Sequence, residues 1–87
     1  MTGGRTPLHF AADYGHKEVI DYLLSKGAKV NMPDKYGITP LLAAIYEGHE
    51  EAVKVLILKG ADKSGKAPDG RSYLEVAESD EMRALLK

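Results

Sequence analysis

One stretch of this chain nearly matches a phosphate-binding loop. From Gly60 the sequence reads Gly-Ala-Asp-Lys-Ser-Gly-Lys, so a glycine and four residues lead to Gly65-Lys66. A nucleotide loop needs Ser or Thr next, because that hydroxyl binds the magnesium ion, and it needs a helix whose first turn faces the phosphates. Ala67 and Pro68 follow here instead, and no strand is predicted before the loop. The pattern therefore does not predict nucleotide binding.

The histidines and paired carboxylates form no catalytic or metal-binding pattern. His16 and His49 recur at equivalent places, and His9 lies in a Thr-Pro-Leu-His segment, where its ring is expected to bond to the local backbone or to Thr6. Neither H-E-x-x-H nor Gly-x-Ser-x-Gly occurs. The chain has no cysteine, which excludes a disulfide or a thiolate zinc site. We predict a non-enzymatic protein with no cofactor and no metal.

Two dipeptides have side chains suited to binding another protein. Asp13-Tyr14 and Tyr46-Glu47 each place a tyrosine beside a carboxylate. Tyrosine gives a large contact area at a low cost in side-chain entropy, and it is enriched at interfaces. The carboxylates favour a basic segment on the partner through complementary charge. The alternative is that Tyr14 and Tyr46 only cover neighbouring helices.

These residues belong to a sequence that repeats every 33 residues. The segment that begins at Gly4 with Gly-Arg-Thr-Pro-Leu returns at Gly37 as Gly-Ile-Thr-Pro-Leu. Lys26-Gly27-Ala28 returns as Lys-Gly-Ala from residue 59, and a shortened third copy opens at Gly70. We therefore predict a single domain, 1–87, with repeats at 4–36 and 37–69 and a cap repeat at 70–87.

Each repeat has the signals of two short helices. A Thr-Pro or Ser-Tyr pair begins each first helix, since the hydroxyl accepts a bond from a free backbone N–H and proline needs no donor there. Apolar residues at helical spacing mark each second helix. The predicted first helices are 6–14, 39–46 and 72–78, and the second helices are 17–25, 50–58 and 80–86. The segment 31–37 is predicted to form a protruding hairpin loop.

A 33-residue period with a Thr-Pro-Leu-His element resembles the ankyrin repeat. The resemblance implies an all-α solenoid of stacked helix-turn-helix units with short hairpin loops, which binds other proteins. In that architecture the loop tips and first helices line a concave groove. Met32 and Ile38 could add an apolar strip to the groove or pack between the loops. The positions that the structural motif leaves variable are the predicted protein-binding residues: Asp13, Tyr14, Lys35, Tyr36, Ile38, Tyr46, Glu47 and Arg71.

The second half resembles a narrower group within the ankyrin-repeat family. The residues that carry this resemblance are a leucine where the motif usually has histidine, a Tyr-Glu-Gly-His run, and a Pro-Asp-Gly lead into a degenerate last repeat: Leu42, 46–49 and 68–70. Members of this group bind the heterodimeric capping protein of actin filaments and stop it from capping barbed ends. The resemblance implies the same function here. The group also carries an additional N-terminal helical repeat.

Composition limits the classes of partner. The formal net charge is −1 and the sequence contains 29% charged residues, so no basic surface for nucleic acid is expected. No apolar run approaches the length of a membrane span. We expect a monomer located in the cytoplasm, with the nucleus as a second location. The alternative function is a generic ankyrin scaffold, designed or a fragment, with no dedicated partner.

The first repeat has no polar cap before it. Leu8, Ala12, Val19 and Leu23 are expected to face water on the side where a preceding repeat would stack. Terminal repeats usually have polar outer faces, which keep the array soluble. We therefore expect either a fragment of a longer array or self-association through this uncapped end.

Overall fold

Helical hairpins follow one another along the whole described chain. The computed structural model describes residues 2–87, and in this range the chain forms α-helices, one 3₁₀ turn at Thr2–Gly4 and no strands. The predicted all-α fold of stacked helix-turn-helix units is confirmed. The helices are α1 (Pro7–Asp13), α2 (Lys17–Ser25), α3 (Pro40–Tyr46), α4 (Glu50–Leu58), α5 (Tyr73–Val76) and α6 (Asp80–Leu86).

The first helices begin where the capping residues predict. The Thr6 hydroxyl accepts from the backbone N–H of His9, and the Thr39 hydroxyl accepts from that of Leu42. Each threonine has an extended backbone, and a proline occupies the first turn of the helix that follows. At α5 the Ser72 hydroxyl accepts from Glu75 N–H. Short polar side chains thus satisfy backbone donors that the helices leave free.

The second helices have the predicted bounds, but α5 is shorter than predicted. The sequence indicated a helix over 72–78, whereas α5 ends at Val76 because Ala77 takes an extended backbone with φ −63° and ψ 131°. Val76 and Ala77 are both buried, so the chain must turn there to bring α6 onto the core. This turn leaves the cap repeat with a single turn of first helix.

The helices form two rows. In one row α1 packs against α3 and α3 against α5, and in the other α2 packs against α4 and α4 against α6. The middle pair, α3 and α4, therefore has a neighbour on both sides. Its apolar side chains form the centre of the core, and the fully buried ones are Leu41, Leu42, Ala44, Ala52, Val53 and Leu56. This continuous apolar seam joins one helical hairpin to the next.

The prediction for the open side of the first pair was half wrong. Leu8 and Ala12 are buried, not exposed. They lie four residues apart on α1, so they share a helix face, and that face packs against α3. Val19 is exposed and Leu23 is half-buried, as expected for the side without a neighbour.

A tight loop before α3 is held by one buried carboxylate. An Asp34 carboxylate oxygen accepts from the backbone N–H of Tyr36 at 2.8 Å and from that of Ile38 at 3.0 Å. The Asp34 N–H in turn donates to the Ile38 carbonyl at 2.9 Å, and Gly37 supplies the positive φ of 82° that the reversal requires. This loop fixes where Tyr36 and Ile38 stand relative to α3.

Candidate functional site

An ion pair closes the space between the loop and the end of α1 in the first repeat. One terminal nitrogen of Arg5 lies 2.7 Å from a carboxylate oxygen of Asp13, and about a quarter of each side chain is exposed. The Arg5 guanidinium also stacks on Phe10, 5.1 Å from the ring centroid. The Asp13 carboxylate, a predicted binding residue, is therefore already neutralised by a cation of the same chain.

Apolar side chains occupy the equivalent positions of the second repeat. Ile38 and Tyr46 stand 33 residues after Arg5 and Asp13, in a repeat with the same helix starts and the same turn. Ile38 is half-buried, and Tyr46 ends α3 with 43% of its side chain exposed. Where the first repeat closes this space with opposite charges, the second leaves an apolar pair open to solvent.

A buried histidine holds the backbone of Ile38 in place. His9 is fully buried, and its Nδ1 lies 3.0 Å from the Thr6 nitrogen and 2.9 Å from the Thr6 hydroxyl. Because the Thr6 N–H donates to Nδ1, the ring proton is on Nε2, which donates to the Ile38 carbonyl at 2.7 Å. The expectation that His9 bonds to Thr6 and to the backbone is confirmed. The same histidine also joins the first repeat to the second.

Arg71 borders the apolar pair on the other side. Its Nε donates to Asp69 at 2.7 Å. This hydrogen bond raises the pKa of Arg71, and a smaller contribution to the same rise comes from Tyr46, so the guanidinium is close to the phenol. Like Arg5, Arg71 is already paired with a carboxylate of its own chain.

Glu47 differs from the other carboxylates of this row. Its side chain is exposed and makes no hydrogen bond or ion pair with any residue of the range 2–87. It follows Tyr46 directly at the end of α3. We call Ile38, Tyr46 and Glu47 the central strip. The strip combines an apolar surface with one carboxylate that has no cation beside it.

The remaining predicted residues lie elsewhere. Tyr14 is 68% exposed, and its ring centroid is 6.0 Å from that of His16, at the open end of the first pair. Lys35 and Tyr36 are exposed on the loop before α3, where the ammonium lies 5.2 Å from the ring centroid. The structure thus brings Ile38, Tyr46, Glu47 and Arg71 into one row, while Tyr14 faces the end of the stack.

An apolar groove at the open end is a second surface feature. Its volume is about 460 Å³, and its walls come from α1 and α2. Phe10, 45% exposed, is the largest apolar side chain in it, and the sequence analysis missed this residue. The signal was available, because Phe10 stands where the next repeat has the small, buried Ala43. The lining residues are Arg5, Pro7, Phe10, Ala11, Tyr14, His16, Val19 and Leu23.

The stretch that resembles a phosphate loop is an ordinary turn. The Ser64 hydroxyl donates to an Asp62 carboxylate oxygen at 2.7 Å, and Gly65 lies so close to Tyr73 that a Cβ would be 2.7 Å from its hydroxyl. Within residues 2–87, no group of three or more His, Cys, Asp or Glu side chains could hold a metal ion. None of the helices described for this chain is long and apolar enough to cross a membrane.

Comparison with known proteins identifies relatives along the whole chain. A family profile described as ankyrin repeats, in three copies, matches residues 2–67. Myotrophin of Xenopus tropicalis is 56% identical over 86 residues, which cover 99% of this chain and 73% of that protein. Oxysterol-binding protein-related protein 1 of Mus musculus is 62% identical over 29 residues, or 33% of this chain and 3% of that protein. The protein of the same name from Rattus norvegicus matches to the same extent.

Proposed function

The chain belongs to the ankyrin-repeat family, and from this premise we propose that it binds the heterodimeric capping protein of actin filaments and inhibits capping. It acts as a non-enzymatic protein-interaction module, close to myotrophin. The similarity to myotrophin supports this proposal because it runs over 99% of the chain rather than over a single repeat.

The observation that carries the proposal is the exposure of Tyr46 beside an unpaired Glu47. Tyr46 keeps 43% of its side chain in solvent although it ends a helix that is otherwise buried from Pro40 to Ile45. A tyrosine with its hydroxyl exposed and its base held by the fold is the kind of side chain that anchors protein interfaces. The Glu47 carboxylate beside it supports a basic contact on the partner.

The test is a matched pair of double variants. Tyr46→Ala with Glu47→Lys removes the anchor and reverses the charge, whereas Tyr22→Ala with Glu18→Lys makes the same changes on the exposed side of α2. Titration calorimetry against purified capping protein should show affinity about tenfold or more weaker for the first variant, as expected for the loss of an interface anchor. The second variant should bind like the unmodified chain. Equal affinities for all three proteins would contradict the proposal.

A scaffold with no dedicated partner is the second candidate. The observation that favours it is the apolar groove at the open end, where a further helix pair or a second copy of the chain could stack. Under this proposal the chain self-associates through Phe10 and Val19 and does not bind capping protein. Sedimentation at rising concentration separates the two candidates, because only the scaffold predicts that Phe10→Ser with Val19→Ser abolishes the association.

A further inference from the structure

The central strip is the one place where the row of charged pairs is interrupted. Arg5 bonds to Asp13 at 2.7 Å before it, and Arg71 bonds to Asp69 at 2.7 Å after it. Between them, Ile38 and Tyr46 take the positions of the first ion pair. An apolar side chain from a partner can therefore lie on Ile38 and Tyr46 without removing water from an unpaired charge, a burial that costs far more than it returns.

The strip is also held in position before any partner arrives. The Ile38 backbone is fixed by His9 Nε2 on its carbonyl and by the Asp34 carboxylate on its N–H. Tyr46 is the last residue of α3, whose preceding side chains are buried. A surface that is ordered in the free protein loses less entropy on binding, so a short segment of partner can bind it.

Charge complementarity decides what accompanies the apolar side chain. Asp13 and Asp69 are each neutralised within the chain, so only Glu47 has its full negative charge available to a partner. An acidic side chain beside the apolar one would be repelled by Glu47. It would also find Arg5 and Arg71 already bonded to carboxylates.

We infer that the central strip recognises an exposed partner segment in which an apolar side chain is followed within a few residues by lysine or arginine. The apolar side chain covers Ile38 and Tyr46, and the cation pairs with Glu47. This inference rests on the proposed function, since it assumes that the strip is the binding surface, but it specifies the chemistry of the bound segment rather than the identity of the partner.

The test is a selection from short random peptides displayed on phage against the purified chain. The unmodified chain should enrich sequences that carry an apolar residue followed closely by Lys or Arg. Against Glu47→Lys, the enriched peptides should keep the apolar residue and exchange the cation for Asp or Glu. Glu18→Lys on α2 makes the same charge change away from the strip and should leave the preference unchanged.

Tyr46→Ser supplies the second arm of the selection. It should remove the enrichment of apolar residues, while its circular dichroism melt stays close to that of the unmodified chain because the side chain is largely exposed. A preference for acidic peptides, the same cation preference against Glu47→Lys, or no enrichment at all would overturn the inference. A selected motif together with no binding to capping protein would refute the named partner and uphold the recognition chemistry.

Discussion

The first and second helix pairs share one sequence pattern but have different surroundings. Phe10 and Val19 are each 45% exposed, while Ala43 and Ala52, 33 residues later, are buried. The difference follows from neighbours, because α3 and α4 are packed on both sides and α1 and α2 on one. The comparison teaches that the repeat motif sets the fold, whereas departures from it, at the open end and in the central strip, mark the surfaces that can bind.

The largest predicted contrast between the two pairs is in stability. Leu41→Ala should lower the free energy of unfolding by about 2–5 kcal/mol, because it leaves a cavity in the seam between repeats. Phe10→Ala should cost less than that range, since nearly half of the ring is already in water. Urea denaturation of both variants measures the two losses. Equal losses would mean that α1 is covered in solution as fully as α3.

Local signals predicted most of the fold. Thr-Pro pairs located the starts of α1 and α3, and apolar periodicity gave the bounds of α2, α4 and α6. The end of α5 was missed because it depends on how Val76 and Ala77 pack under α6, which is a tertiary effect. The burial of Leu8 and Ala12 was missed because the sequence does not say which face of α1 meets α3.

The candidate site was only partly predictable, for a similar reason. The sequence singled out Asp13, Tyr46 and Glu47 by type and position. It could not indicate that Arg5, eight residues before Asp13, neutralises that carboxylate and leaves Glu47 without a cation. Such pairings depend on how a loop returns to a helix end, and residue types do not fix that geometry. The binding roles of these residues stay predictions.

The turn glycines offer a sharper comparison between the two pairs. Gly15 and Gly48 have nearly the same φ, 70° and 71°, but a Cβ on Gly15 would lie 2.8 Å from the His49 ring, whereas a Cβ on Gly48 meets nothing within 4 Å. Both substitutions to alanine carry the strain of a left-handed backbone, about 1–2 kcal/mol. Gly15→Ala should be the more destabilising of the two in thermal melts, because the His49 ring must also move.

A double variant separates the two contributions. In the Gly15→Ala background, His49→Ala should recover part of the lost stability, while in the Gly48→Ala background the same change should recover none. Such non-additivity is expected only for residues in direct contact. Additive losses in both backgrounds would mean that the loop after α1 does not pack against His49.

The smallest predicted effect concerns the capping residues at the two ends. At α1 the capping side chain that returns a bond to the backbone is buried His9, and at α5 it is exposed Glu75. Hydrogen bonds from Ser72 lower the pKa of Glu75 in the folded state. Its contribution to stability is therefore present above the unfolded pKa of about 4.3 and is lost as the pH falls through the folded pKa.

Glu75→Gln should remove that part of the pH dependence. Melting temperatures measured from neutral pH down to acid should fall less steeply for Glu75→Gln than for the unmodified chain, with the two curves separating at neutral pH and converging in acid. Parallel curves would mean that the Ser72–Glu75 bonds do not persist in solution.

The central claim is that the second repeat binds a partner because Ile38 and Tyr46 stand where the first repeat has an ion pair. Ile38→Arg with Tyr46→Asp copies the first repeat's pair onto the second, so it tests this claim most directly. Calorimetric titration with purified capping protein, with a thermal melt of each protein beside it, should show a folded variant whose affinity is lower by at least about tenfold. A folded variant that binds capping protein as tightly as the unmodified chain would contradict the claim.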